Sequence, residues 1–137
     1  MVAIGVAAVL AAVAVPSYLK YIEQVKVNRA TVEIAAMASS IQRYVTLYNI
    51  VPPDLAGIGC AGSLDPWGHP YQYLSFQGLK GKGQMRKDKS LVPINTQYDL
   101  YSMGADGQSV PPLTAKVSRD DVILANDGNY IGLASAY

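Results

Sequence analysis

MVAIGVAAVLAAVAVPSYLKYIEQVKVNRATVEIAAMASSIQRYVTLYN, residues 1–49, decides the fold of this chain. Its first fifteen residues, Met1 to Val15, are all apolar or glycine. Three readings compete for such a run. A secretory signal peptide opens on a basic segment, and this run has none. A buried core helix suits the length, but a small domain has little with which to wrap a helix that is apolar on every side. A membrane-resident helix needs about 20 apolar residues at ~1.5 Å each, a deficit that a few more apolar residues upstream would mend. The third reading is the expectation: a helix lying in lipid or among other subunits.

At Pro16 the character changes. A proline inside a helix removes one backbone donor, so a kink or a loosened turn is expected there. Beyond it, Ile34, Met37, Ile41, Tyr44, Val45 and Tyr48 recur at three- and four-residue spacing, which paints one apolar stripe. Lys20, Glu23, Lys26, Arg29, Glu33 and Arg43 occupy the opposite face. The spacing predicts one continuous helix of ~75 Å, exposed to lipid or neighbours in its first half and packed on a domain in its second. The alternative is two helices broken at Pro16.

"IVPPDLAGIGC" (50–60) holds two prolines and two glycines and ends the helix in an irregular loop. After it, "YQYLSF" (71–76), "YDLYSM" (98–103), the shorter "DDVIL" (120–124) and "NYIGLASAY" (129–137) read as strands bounded by turn residues. They predict an α+β fold: a long N-terminal helix packed on a small antiparallel β-sheet. Between the first two strands, "LKGKGQMRKDKS" (79–90) reads as a mobile, solvated basic loop, with a partner-docking patch as the lesser reading.

At 137 residues the chain is long enough for one core. A net charge of +1 with 15% charged residues gives no basic field for nucleic acid, so no nucleic-acid partner is expected. Ten tyrosines against one phenylalanine favour half-buried and interface positions. Cys60 is the single cysteine, and no Cys/His metal spacing surrounds it.

Cys60, Asp65 and His69 are the residue types of a thiol-nucleophile triad, yet no nucleophile motif frames Cys60, so no catalytic residue and no enzyme is expected. "GLKGKG" lacks the spacing of a phosphate loop. In "LDPWGHPYQYL" (64–74), Pro66 and Pro70 fix the backbone on either side of Gly68 and build a rigid turn. There Trp67 should cover the seam between loop and helix, Tyr71 and Tyr73 should share one face of the first strand, and His69 should sit at the solvent edge. Asp106 in "MGADGQS" and Asp120, Asp121 and Asp127 in "SRDDVILANDGN" are the types of oxygen donor that calcium takes, though Asp106 and Asp127 also suit tight turns and Asp120 and Asp121 the cap of a short element.

Taken together, "VAIGVAAVLAAVAVPSY", "LDPWGHPYQYL" and "YDLYSMGADGQ" resemble the type IV pilin superfamily, and within it most closely the major pseudopilin of type II secretion systems. Pro16 is similar in position to that family's helix-kinking proline. The family opens on a phenylalanine and a Thr-Leu-Ile-Glu stretch, which the resemblance places upstream of Met1, beside its processing and methylation site. The resemblance implies an apolar membrane and filament-core helix over 1–15 and a pilin-like globular domain over 16–137, comprising helix to 49, loop 50–70, and sheet with C-terminal loops 71–137. It also implies one calcium ion in the loop after "GADG", held by the Met103 carbonyl and by Asp106, Asp120 and Asp121. The function it implies is a structural subunit of a helical filament, single-pass in the bacterial inner membrane before assembly and periplasmic or extracellular afterwards. Its implied partners are copies of itself through the N-terminal helices, minor pilins or pseudopilins, and an inner-membrane assembly platform driven by a cytoplasmic ATPase. The alternatives are a type IV pilus subunit for adhesion, motility or surface contact and, from another class, a monomeric membrane-anchored binding domain.

Overall fold

One helix, α1 (Val2–Tyr48), runs for 47 residues, which at ~1.5 Å per residue is ~70 Å. The computed structural model describes residues 2–89 and 91–137; Met1, at the head of the expected apolar segment, and Ser90, at the end of the basic loop, lie outside the described residues. Pro16 lies inside α1, so the reading of two separate helices does not hold. One residue further on, the Ser17 hydroxyl donates to the Val13 carbonyl at 3.2 Å. The helix ends at Asn49, whose φ of 56° is the left-handed stop that asparagine tolerates, with its N–H returned to the Val45 carbonyl at 2.8 Å.

The buried positions of α1 are Val27, Ala30, Ile34, Met37 and Ile41, a single stripe at three- and four-residue spacing. The stripe therefore begins two turns earlier than the periodicity indicated and stops sooner. Tyr48 is exposed and leans on Tyr44, with ring centroids 4.6 Å apart. Ala30 has no exposed surface. A residue that small leaves room for the close approach of a sheet, but gives hydropathy patterning little to register.

Four strands form the sheet: β1 (Gln72–Ser75), β4 (Tyr98–Ser102), β5 (Val122–Ala125) and β6 (Tyr130–Leu133), side by side in that order and antiparallel throughout. The fold is the expected α+β arrangement of a long helix on a small antiparallel sheet. β5 is buried at every residue, and its period of two explains how. Val122 and Leu124 face α1 and join Ile34, Met37, Ile41 and Leu100, while Ile123 and Ala125 face a second cluster with Ile94, Leu113 and Ala134. Each fully buried Ile or Leu here contributes roughly 1.5–3 kcal/mol relative to exposure.

The second cluster exists because the basic stretch folds. Residues 79–90, expected to be a mobile loop, include β2 (Lys87–Asp88), which pairs antiparallel with β3 (Val92–Pro93). Its other edge accepts the chain from the C-terminal loop: Lys87 N–H donates to the Pro111 carbonyl at 2.9 Å, and Leu113 N–H to the Lys87 carbonyl at 3.0 Å. Lys80 and Lys82 stay exposed, but Arg86 is 2% exposed, so the reading of the whole stretch as solvated is corrected.

Candidate functional site

Two features stand out on this frame: an apolar helix with no cover, and a polar network that fastens the loops at one end of the sheet. Residues 2–21 of α1 are exposed, and the chain first buries a helical residue at Val27. Val2, Ile4, Val6, Val9, Leu10, Val13 and Val15 thus face outward on every side of the helix. An apolar surface of this extent marks an interaction with lipid or with other chains.

The turn over 64–70 is built around Asp65. Its carboxylate has no exposed surface; Oδ1 accepts from the N–H groups of Trp67 (3.0 Å) and His69 (2.9 Å), and Oδ2 accepts from the Ser102 hydroxyl at 2.5 Å. The Ser102 oxygen in turn accepts from Gly104 N–H at 3.1 Å. One carboxylate therefore joins the end of the helix-to-sheet loop to the end of β4. Three aromatic side chains complete the attachment by sending polar tips back to the helix and its C-terminal loop. Trp67 Nε1 donates to Glu23 at 2.9 Å, the Tyr71 hydroxyl to Glu33 at 2.5 Å, and the Tyr73 hydroxyl to the Pro52 carbonyl at 2.7 Å. Burial, aided by the bond to Glu33, pushes the Tyr71 hydroxyl well above its ordinary pKa, and burial does the same at Tyr73.

His69 sits partly exposed in this turn, its side chain 32% accessible, but it is not without a partner. Its Nδ1 lies 3.1 Å from the Gly104 carbonyl, which can only accept, so Nδ1 carries the hydrogen. The ring rests over Gly107, where an added Cβ would come within 2.7 Å of Nε2. Sequence offered no partner for His69 because the partner is a backbone carbonyl 35 residues away. Cys60 points its thiol towards the Ile58 carbonyl and packs beside the core, and the Asp65 carboxylate is committed to the turn. Each of the three triad candidates thus has a bond or packing role of its own.

The four calcium candidates divide. Met103 follows β4 and is half-buried. Asp106 and Asp120 are brought together: Asp120 Oδ2 accepts from Asp106 N–H at 3.1 Å, while Asp106 Oδ1 caps its own turn by accepting from Gln108 N–H at 2.8 Å. Gly104, with φ +64°, permits this approach, since a Cβ there would stand 2.3 Å from the Asp120 carbonyl oxygen. Asp121 goes inside. It is fully buried, accepts from the Ser109 hydroxyl at 2.6 Å and pairs with the Arg86 guanidinium. Burial pushes its carboxyl upward in pKa, opposed by the bonds from Ser109 and Arg86. Among the described residues, no group of three or more His, Cys, Asp or Glu side chains is gathered as a metal would need. Asp127, the fourth aspartate of this region, accepts from Thr96 N–H and hydroxyl at 2.8 and 2.9 Å, so it fastens a turn.

Sequence reasoning missed Arg86 and Asp99. Arg86 was one basic residue among several, and Asp99 lay inside a strand motif. In the fold, Arg86 N–H donates to Asp99 Oδ2 at 2.6 Å and Asn95 Nδ2 to Asp99 Oδ1 at 3.1 Å, and burial pushes the Asp99 carboxyl upward against both bonds. A charged residue inside a strand, next to the alternating apolar positions, was the signal available.

Compared with known proteins, the chain is 30% identical to Type II secretion system core protein G of Pseudomonas aeruginosa, over 79% of this chain and 80% of that protein. No protein-family model matches it, and no solved structure matches it.

Proposed function

This chain belongs to the major pseudopilin family of type II secretion, and from that premise we propose that it is the structural subunit of a membrane-derived helical filament, the pseudopilus, that helps move proteins across the outer membrane. The observation that carries the reading is the helix: residues 2–21 project uncovered from the domain and are apolar on every face over residues 2–15.

The chemistry follows from that geometry. Before assembly the apolar segment rests in the inner membrane, where a helix satisfies its backbone polar groups internally. During assembly it exchanges lipid for the helices of neighbouring subunits. Lipid tails are as apolar as leucine, so the exchange is driven by close packing, for which Gly5 and the many alanines of the run are suited. One heterologous contact repeated head to tail gives an open helical polymer. The domain forms the outer surface, and the network around Asp65, Ser102 and His69 holds its loops in a single shape for neighbours to recognise. The role is structural rather than enzymatic. Minor pseudopilins and an inner-membrane platform are the partners that this reading brings with it.

A type IV pilus subunit would use the same fold, and deletion separates the two. In the source bacterium, removal of the gene should abolish release of secreted proteins and leave surface adhesion and motility intact. Normal secretion with lost adhesion or motility would overturn the secretion reading in favour of the pilus.

A further inference from the structure

We infer that the Arg86 guanidinium is this chain's own structural cation: it holds the loop from Ser109 to Asp121 against the sheet, so the order of that loop does not depend on bound calcium. Arg86 is 2% exposed, and both terminal nitrogens of its guanidinium have partners. Nη2 binds Asp121, Nη1 binds the Ser109 hydroxyl and donates to the Val110 carbonyl at 2.7 Å, and the guanidinium carbon lies 4.2 Å from the centre of the Tyr101 ring. Its backbone is equally fixed, by the bond to Asp99 and by Ile94 N–H donating to the Arg86 carbonyl at 3.1 Å. One cation thus gathers a carboxylate, a hydroxyl, a carbonyl and an aromatic face from β4 and the C-terminal loop. That is the gathering of oxygen donors that a divalent ion performs in an irregular loop.

The remaining donors do not fit calcium beside it. Asp121 faces a positive charge, and a divalent ion sharing that carboxylate would sit against the guanidinium and be repelled. The Asp106 and Asp120 carboxylates already accept from backbone N–H groups of the same loop. Calcium takes six to eight oxygens, and on Asp106 and Asp120 one carboxylate oxygen each is committed to an internal bond. Among the described residues, the buried side-chain atoms without partners are Arg86 Nε and Asp121 Oδ1, one donor and one acceptor of the same two side chains. The guanidinium meets Asp121 through Nη2 on Oδ2 alone, and its planar spread of donors also reaches Ser109 and Val110, a set of directions that a spherical ion does not reproduce. The cation comes from the segment between β1 and β4 that sequence reading treats as solvated, and β2 gives it a fixed base from which to reach.

Thermal melting of the full chain in detergent tests this, read with excess calcium and with a chelator. The wild type should melt at the same temperature in both, within about 1 °C, and calorimetric titration with calcium chloride should show no saturable site. Arg86→Met should lower the melting temperature by roughly 10 °C or more, since it strands a buried carboxylate. If that variant does not fold, Arg86→Lys, which keeps the charge and loses the planar spread of donors that reaches Ser109, Val110 and Asp121, should fold and melt below the wild type. Asp121→Asn should show one and the same loss with calcium or chelator. A tight calcium site would instead move the wild-type transition by roughly 10 °C between the two conditions. That shift, a saturable one-site titration, or Arg86→Met or Arg86→Lys melting with the wild type would overturn the inference. Melting reads the single folded chain, so its outcome is separate from that of filament assembly.

Discussion

Replacing Asp65 by alanine removes one buried carboxylate that accepts three hydrogen bonds, from Trp67 N–H, His69 N–H and the Ser102 hydroxyl. Alanine leaves two backbone donors of the 64–70 turn without a partner, and each buried unsatisfied donor costs about 1–3 kcal/mol. The hydroxyl can rotate to another acceptor, but its oxygen also positions Gly104 N–H, so the joint between the turn and β4 loosens. The sum is about 3–5 kcal/mol, which for a chain of this size lowers the melting temperature by roughly 10–20 °C. Asp65→Asn is the informative companion. It keeps one oxygen for the two N–H groups, and its amide can donate to the Ser102 oxygen, so its loss should be about 1 kcal/mol. Urea unfolding of both variants in detergent, followed by Trp67 fluorescence, measures the pair. Equal losses, or a loss under about 1 kcal/mol for the alanine variant, would refute the idea that this carboxylate organises the turn.

Gly104→Ala should cost about 3 kcal/mol or more, because it adds a left-handed residue and drives a Cβ to within 2.3 Å of the Asp120 backbone oxygen, whereas Gly62→Ala, with φ +69° and nothing within 4 Å, should cost only ~1 kcal/mol. Equal unfolding free energies for the two would contradict the close-approach reasoning. Burial raises the pKa of the Tyr71, Tyr73, Tyr98, Tyr101 and Tyr130 hydroxyls above the ordinary 10.0. The unfolded chain then loses protons first, so stability is intact below about pH 10 and falls as pH rises above it. Phenolate absorbance should show a late-titrating group of tyrosines that coincides with unfolding, and a single early titration of all ten would be the contrary result.

The helix was legible because one period of 3.6 residues runs through Ile34, Met37 and Ile41, and hydropathy reports large side chains well. It reported Ala30 poorly, for the same reason. The strands could be read where aromatic and β-branched residues alternate, and three of the four sheet strands end within a residue or two of their motifs. The last candidate, 129–137, was too long because Ala134–Ala136 turns into a 3₁₀ segment after β6. The site was legible only in part. Asp65 and His69 were noticed for their chemistry, yet their partners, Ser102 and the Gly104 carbonyl, are more than thirty residues away. Arg86 and Asp121 are separated by 35 residues, and a basic run carries no mark of which member will be buried. Acidic residues close in sequence suggested a common role, but β5 begins at Val122, and the alternation leading into it buries Asp121 while leaving Asp120 nearer the surface.

The central claim is that the uncovered helix exists to pack against copies of itself. Electron microscopy of the purified full chain after slow removal of detergent tests it most directly. The account predicts helical filaments with α1 of each subunit in the core and the sheet domain outside, and loss of those filaments when Val9 and Val13 are replaced by lysine in a chain whose domain still melts normally. A chain that stays monomeric after detergent removal, also in the presence of its minor pseudopilins, or filaments that survive both lysines, would contradict it.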